Sequence, residues 1–429
     1  MGESLLTDRP ALLREIAREV GTPAYVYDAA AIRRHFRALD AALQHVPHRI
    51  YYSVKANGNL AVLGLMRSLG AGADIVSVGE LARALRAGFD PGEVVFSGVG
   101  KTVAELERAL DAGVGVINVE SGAELELLEG IARGRPAPAR VGIRVNPDVP
   151  TATHPYTQTG GKDRKFGVPF GEVTALVRWI LDHPSLQLVG VGMHIGSQIA
   201  DAGPYRAGAE RLAELVAELR AQGVTTLQHV DVGGGIGIRY INEDALSAEA
   251  FAAAVAPLAE VTGLPLAVEP GRFVTGNAGI LLARCLYRKQ AGEKDFAIVD
   301  AGMNDLLRPS LYGAGHDVRV VPEAEDREPA AEPDPDRPVD VVGPVCESGD
   351  FLALARELPG AVPGALLAVL GAGAYGFTMS STYNSRPRAA EVMVDGERWS
   401  VIRERESVED LMRGERTLDE LDAGAWRGT

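Results

Sequence analysis

Cysteine is nearly absent: Cys285 and Cys346 are the only two in 429 residues. Two thiols cannot build a disulfide framework or a thiolate metal site, so a reducing compartment is expected and no metal centre. Long apolar runs are also lacking. No stretch reaches the roughly 20 residues that a helix needs to cross a bilayer, which argues against a membrane-spanning protein. Positive charge is in deficit, with 43 Lys and Arg against 58 Asp and Glu and a formal charge of −15. That balance repels phosphate backbones and anionic lipids, so neither nucleic acid nor a membrane surface is an expected partner. The N-terminus has no basic start followed by an apolar core, and Leu6 stands where a myristoylation signal needs Ser or Thr. The expectation is a cytoplasmic protein.

What is present is alternation. The length is that of two to three ordinary domains, enough for one large barrel and a smaller partner. From about residue 49, eight β-branched runs recur: RIYYSV, ADIVSV, EVVFSG, GVINVE, ARVGIRVN, LVGVGMHIG, HVDVGG and PLAVEPG. Between them lie segments such as GELARALRAG, rich in Ala, Leu, Glu and Arg at helical spacing. Strands joined by crossover helices point to an α/β fold, and eight such units point to a closed parallel (β/α) barrel. An open doubly wound sheet usually has fewer strands and one dominant glycine-rich turn near its start. Beyond about residue 280 the alternation stops. FAIVDAG, PVDVVGPVC, LLAVLGAGAY and EVMVDGERWSVIRE read as strands with few helices between them. The expected division is a barrel over 30–280 and a mainly-β domain over 281–429. PAYVYD, within 1–29, adds a strand to that domain and makes it discontinuous. The acidic, Pro-rich run over 321–338 cannot build a core and reads as an exposed loop.

Two motifs are misleading. SGVGKT resembles the tail of a phosphate-binding loop, but that motif needs glycine at position 95 and the chain has Val95. GGGIG after HVDV lacks the spacing of a dinucleotide fingerprint and says only that backbone amides are free to approach an anion.

Chemistry-bearing residues follow several different strands: Lys55 the first, His194 the sixth, the glycines from 233 to 237 the seventh, and Glu269 to Arg272 the eighth. A barrel brings all these points to one rim, where such folds place their active sites. Lys55 alone is either a solvated charge or a desolvated amine kept for chemistry. Glycines after the seventh strand, Ser197, Gly271 and Arg272 on the same rim would make a phosphate cradle. A lysine beside a phosphate site suggests pyridoxal phosphate, and a carboxylate such as Glu269 against the pyridine nitrogen would let the ring accept the electrons of a carbanion. Taken singly, Glu269 could be a strand-end cap and His194 a core histidine.

YYSVKAN, MHIGSQ, DVGGGIG and EPGR together resemble the alanine racemase-like, or fold type III, pyridoxal enzymes. Within them, THPYTQTGGKDRKFG, LRPSLYGAGH, CESGD and GAYGFTMSSTYNSRPR are similar to the diaminopimelate decarboxylases, over nearly the whole chain. The resemblance implies the decarboxylation of meso-2,6-diaminopimelate to L-lysine with pyridoxal 5'-phosphate. It makes Lys55 the Schiff-base lysine and His194 the ring-stacking residue. Ser197, Gly234, Gly235, Gly271 and Arg272 become phosphate or nearby contacts, and Glu269 the partner of the pyridine nitrogen. Asp74 would orient the His194 region, and Tyr375 would touch cofactor and substrate. Arg272, Arg308 and Tyr312 would bind the distal carboxylate of the substrate and Glu347 its distal ammonium. Cys346 would supply the proton that replaces the lost carboxylate. In the family Cys346 and Glu347 come from the partner subunit, which implies a homodimer with shared sites. Arg144 and His154 also match family positions, with a strand-end salt bridge and a loop histidine as equally open readings. The rivals are a sister decarboxylase of ornithine, arginine or carboxynorspermidine, for which Arg308 would have no distal carboxylate to hold, a racemase, which would want arginine where Glu269 stands, and a catalytically silent regulatory relative.

Overall fold

The computed structural model describes residues 3–150, 154, 160, 165–322 and 337–421. The chain enters through two short helices and strand β1 (Ala24–Asp28). The Asp28 side chain then accepts from the Ala30 amide at 2.8 Å and caps the helix Ala29–Leu43. Ile32, Phe36, Leu39 and Leu43 form the buried stripe of that helix at three- and four-residue spacing. Burial of each contributes about 1.5 to 3 kcal/mol.

Eight strands then alternate with helices: β2 (His48–Ser53), β3 (Gly72–Ile75), β4 (Val94–Phe96), β5 (Val116–Val119), β6 (Ala139–Asn146), β8 (Leu186–Gly192), β9 (His229–Asp231) and β10 (Leu266–Val268). A two-residue strand, β7 (Val168–Pro169), pairs with the end of β6. Neighbours pair in parallel in the order β5-β4-β3-β2-β10-β9-β8-β6, and β5 pairs with β6, so the ring closes. The expected eight-stranded parallel barrel is what forms, with all eight of the anticipated runs as its staves. Crossover helices start and stop where the sequence signals it. Thr102 and Glu105 make a reciprocal capping box ahead of the helix Val103–Ala112, and Gly113 ends that helix in the left-handed conformation at φ 76°.

Side chains alternate across each stave. Val94 and Phe96 join the main core under the helices, while Val95 packs with Val116, Val189 and Tyr51 in a separate small cluster that fills the barrel interior. Polar side chains share that interior. His229 fits because its neighbour across the sheet is Gly190, where a Cβ would come within 2.4 Å of the imidazole.

The second sheet is built from β11 (Gly279–Ala291), β12 (Lys294–Val299), β13 (Val318–Val320), β14 (Val339–Val342), β15 (Phe351–Arg356), β16 (Leu366–Val369), β17 (Ala390–Asp395) and β18 (Arg398–Arg403). β1 lies inside it, antiparallel to β11 and parallel to β17, as the PAYVYD reading expected. β11, β13 and β15 were not anticipated. Most of the acidic Pro-rich run, residues 323–336, lies outside the described residues, between β13 and β14.

The two sheets are joined where the site lies. Asn57 Nδ2 donates to the Gly373 carbonyl at 3.1 Å, and the Tyr375 amide donates to the Ala56 carbonyl at 2.8 Å. A buried carboxylate, Glu391, accepts from Tyr27 at 2.8 Å, Asn59 at 2.9 Å and Arg403 at 2.6 Å. These bonds bind the loop that follows β2 to the β-rich half of the molecule.

Candidate active site

Lys55 sits in the single 3-10 turn Val54–Ala56, immediately after β2, at the C-terminal rim of the barrel. Its Nζ donates to Asp74 Oδ2 at 2.6 Å. Burial works against its charge, but Asp74 and Glu269 outweigh it, and the ammonium pKa is raised above the ordinary lysine value. Asp74, on β3, is wholly buried and also accepts from Ser53 Oγ at 2.7 Å. It was expected to serve the region of His194; the bonds described for it go to the lysine and to Ser53.

Glu269 follows β10 and is buried beside Asp231 and Asp74. Burial, followed by repulsion from these two carboxylates, pushes the Glu269 pKa well above the ordinary value. The Asp231 carboxyl is likewise raised, first by burial. Glu269 Oε1 is buried and has no hydrogen-bond partner among the described residues. A buried acceptor left open costs about 1 to 3 kcal/mol, so an orphan here points to a polar atom that completes it.

His194, just beyond β8, accepts through Nδ1 from the Gly234 amide at 3.2 Å. Burial, then the nearby charges of Arg144 and Lys55, hold its pKa well below the ordinary histidine value, so the imidazole is neutral. The glycine run lets the loops after β8, β9 and β10 close on each other. A Cβ at Gly234 would stand 1.9 Å from the Glu269 carbonyl, and one at Gly235, where φ is 90°, would stand 2.1 Å from the Gly196 carbonyl. Gly271 is placed less tightly, where a Cβ would stand 2.8 Å from the Ala56 Cβ.

Ser197 Oγ accepts from Arg272 Nη2 at 3.0 Å, and Arg272 Nη1 also donates to the Tyr240 hydroxyl. Arg308 lies on the other side of the same tyrosine, with its guanidinium carbon 4.3 Å from the Tyr240 ring centre. Both arginines are buried, and among the described residues neither forms an ion pair with an acidic side chain. Tyr375 places its ring 4.7 Å from the Arg272 guanidinium. It does so from a left-handed backbone at φ 56°, a conformation that costs a non-glycine residue of order 1 kcal/mol and recurs at functional sites.

One cavity of about 850 Å³ joins these groups. Lys55, His194, Ser197, Gly235, Glu269, Gly271, Arg272, Arg308, Tyr312 and Tyr375 are among the residues that line it. Asp74 and Gly234 stand one hydrogen bond behind the wall. Arg144 and His154 line it too; Arg144 also pairs with Glu120 at 2.9 Å, so a cavity wall and a strand-end salt bridge coexist. Of the run THPYTQTGGKDRKFG, only His154, Gly160 and residues from 165 onward are described. Cys346 and Glu347 are not brought to this cavity. Both are exposed, on the loop between β14 and β15, where the Cys346 amide donates to Asn384 Oδ1 at 2.8 Å. Sequence reasoning passed over Tyr240, although it stands three residues beyond the GGGIG run. It also left His316 without a role, although His316 ends the LRPSLYGAGH motif.

The donor set fits pyridoxal phosphate: a primary amine at the rim, an open buried carboxyl oxygen opposite Asp74, and a glycine-lined approach that side chains would close. A (β/α) barrel with such a site, joined to a β domain, defines the class of pyridoxal-dependent decarboxylases. Residues 29–276 match the family described as pyridoxal-dependent decarboxylase, pyridoxal binding domain. The diaminopimelate decarboxylase of Pseudomonas aeruginosa is 49% identical over 406 residues, covering 95% of each chain. That of Vibrio cholerae is 45% identical, covering 95% of this chain and 96% of its own. The crystal structure of diaminopimelate decarboxylase from Helicobacter pylori complexed with L-lysine superposes with a TM-score of 0.88 at 41% identity, covering 94% of this chain and 98% of that one. The chain belongs to the diaminopimelate decarboxylase family.

Proposed function

We propose that this chain converts meso-2,6-diaminopimelate to L-lysine and carbon dioxide with pyridoxal 5'-phosphate, the carboxy-lyase step that ends lysine biosynthesis. The observation that carries this reading is the pair of buried guanidiniums, Arg272 and Arg308, which have no carboxylate partner among the described residues, in the cavity that also contains Lys55 and the open Glu269. Such a pair is a site for an anion at the far end of a substrate. When bound, the cofactor supplies an electron sink that lets the carbon–carboxylate bond break.

The chain's own residues have separable roles in this reading. Lys55 would hold the cofactor, with Asp74 fixing the amine, and Glu269 would serve the ring nitrogen. The neutral His194 would pack on the ring, and Ser197, Gly234, Gly235, Gly271 and Arg272 would take the phosphate. Arg272, Arg308, Tyr312 and Tyr375 take the substrate, with charged hydrogen bonds to its distal carboxylate contributing about 1.5 to 3 kcal/mol each. A simple diamine-forming substrate would leave these donors unpaired, which accounts for discrimination against ornithine. Cys346 delivers the proton to the carbon that lost its carboxylate, and Glu347 takes the distal ammonium. Both are exposed and lie outside the cavity of their own chain, which supports a homodimer in which each subunit completes the site of the other. The barrel over 30–280 then carries the cofactor, and the β domain over 281–429, with its strand from 1–29, carries the shared loop. A cytoplasmic enzyme is the matching location; among the described residues no helix is long and apolar enough to cross a membrane.

The test is carbon dioxide release and product identity from meso-diaminopimelate beside ornithine, lysine and arginine, with pyridoxal phosphate supplied. Lysine formed from meso-diaminopimelate alone is expected; release from ornithine or arginine instead would overturn the roles given to Arg308 and Glu347. Mixing Lys55→Ala with Cys346→Ala protein should restore turnover that neither has alone. Failure to do so would remove the shared site.

A further inference from the structure

His316 takes no part in the chemistry described above, yet it is wholly enclosed near the cavity, with no exposed surface. It lies between the helix Arg308–Tyr312 and β13. Both ring nitrogens are engaged. Nε2 is 2.7 Å from Arg308 Nη1, and Nδ1 is 2.8 Å from the Leu370 carbonyl. A guanidinium only donates, so Nε2 must accept; a carbonyl only accepts, so Nδ1 must carry the proton. The two bonds therefore specify one neutral tautomer. Burial, reinforced by the adjacent Arg308 charge, depresses the His316 pKa to about 3, so the ring stays neutral at any working pH. Its edge also packs on Tyr240, with ring centres 4.9 Å apart, and Tyr240 in turn carries Arg308 on its face.

We propose that His316 is a positioning residue for substrate selection: it fixes the Arg308 guanidinium as a neutral acceptor, so that the whole positive charge remains for the carboxylate at the far end of the substrate. This rests on the proposed function and gives it a mechanism for selectivity. A buried arginine is ordinarily held by Asp or Glu, which orients it and cancels its charge together. An imidazole separates these two effects. It supplies direction through one hydrogen bond and no counter-charge. The Leu370 carbonyl holds the ring in turn, and Leu370 directly follows β16, so the orientation of Arg308 is set by the β sheet. Arg308 Nε is buried and has no partner among the described residues, which leaves donor capacity unspent until an anion arrives.

The experiment compares two ligands that differ in one carboxylate, L-lysine and cadaverine, by calorimetry on the holoenzyme, alongside KM and kcat for meso-diaminopimelate. His316→Phe keeps a ring and removes the acceptor; His316→Gln returns an acceptor near the place of Nε2. The Phe variant should bind lysine about 10- to 100-fold more weakly and cadaverine within about twofold of wild type, the loss expected of one misaligned charged hydrogen bond. KM should rise by a similar factor with kcat little changed, and Gln should recover most of the loss. Equal weakening of both ligands, or a Gln variant no better than Phe, overturns the proposal. Nitrogen NMR of the wild-type protein gives an answer that does not depend on variants folding. His316 should appear as the neutral Nδ1–H tautomer from pH 5 to 9, and any titration in that range, or the other tautomer, overturns the proposal. Should wild type prefer lysine to cadaverine yet release no carbon dioxide from meso-diaminopimelate, only the reaction is refuted. Absence of that preference refutes the anion site and His316 with it.

Discussion

Replacing Gly235 with alanine should loosen the cofactor end of the site without touching a single polar side chain. The new Cβ would meet the Gly196 carbonyl at 2.1 Å, and ordinary contact requires the two loops to part by about 1 Å or more. Two of the hydrogen bonds between those loops are backbone bonds next to this contact, from the Ile199 amide to the Gly235 carbonyl at 3.0 Å and from the Gly237 amide to the Ile199 carbonyl at 2.9 Å. Their loss costs about 0.5 to 1.5 kcal/mol each. The backbone at φ 90° adds about 1 to 2 kcal/mol for a residue with a side chain. The sum, about 2 to 5 kcal/mol, is divided between fold stability and cofactor retention. Titration of the apoprotein with pyridoxal phosphate, followed by visible absorbance, should show at least about 10-fold weaker binding, with a lower thermal midpoint and unchanged far-ultraviolet dichroism. Cofactor affinity and thermal midpoint both equal to wild type would refute the reasoning that these loops must touch.

Other consequences are open to the same kind of check. Gly130 lies exposed in the helix Gly122–Ala132 with open space where a Cβ would go, so Gly130→Ala should raise stability by about 0.5 to 1 kcal/mol in urea unfolding; a loss would mean that the helix is packed differently. Cys346→Ala should keep the cofactor absorbance and the fold while lowering kcat about 100-fold or more, the scale of a lost proton donor; normal turnover would remove Cys346 from the chemistry. Asp305 is buried and its carboxyl is pushed up to about 7, first by burial. The folded state therefore holds this proton more tightly than the unfolded chain, and stability falls as pH rises from about 4 through 7. Asp305→Asn keeps an acceptor for the Gly302 amide and should become more stable relative to wild type across that window, by about 3 to 4 kcal/mol at pH 8. A difference that does not change with pH would rule out this account.

The barrel was legible because each stave is a short β-branched run, buried on both faces and bounded by a helix with its own caps. β11, β13 and β15 escaped notice for the opposite reason: GILLARCLYRKQA has a single β-branched residue. Val318–Val320 is only three residues long, and FLALAR carries neither the β-branched density nor the strict alternation of a strand. The rim residues could be placed because each follows a strand, so Lys55, His194, Ser197, Glu269 and Arg272 converge once the barrel closes. Tyr240 and His316 could not be placed this way. Their contacts join a loop after β9, a helix before β13 and the end of β16, which no spacing in the chain encodes. The exposure of Cys346 and Glu347 is equally invisible in a motif that reads CESGD.

The position of β1 bears on how the chain is made. β1 is made before every other strand described, yet it lies in the middle of the second sheet, with β17 as its parallel neighbour from Ala390 onward. At about 5 to 20 residues per second, roughly 370 residues of synthesis separate the two, an interval of about 20 to 70 s. Throughout it, AYVYD stays an apolar strand with an open edge, and β11 can cover one side only after the whole barrel has emerged. The first of the described strands is thus among the last to be enclosed, and it is there that a holding chaperone has the longest opportunity to act.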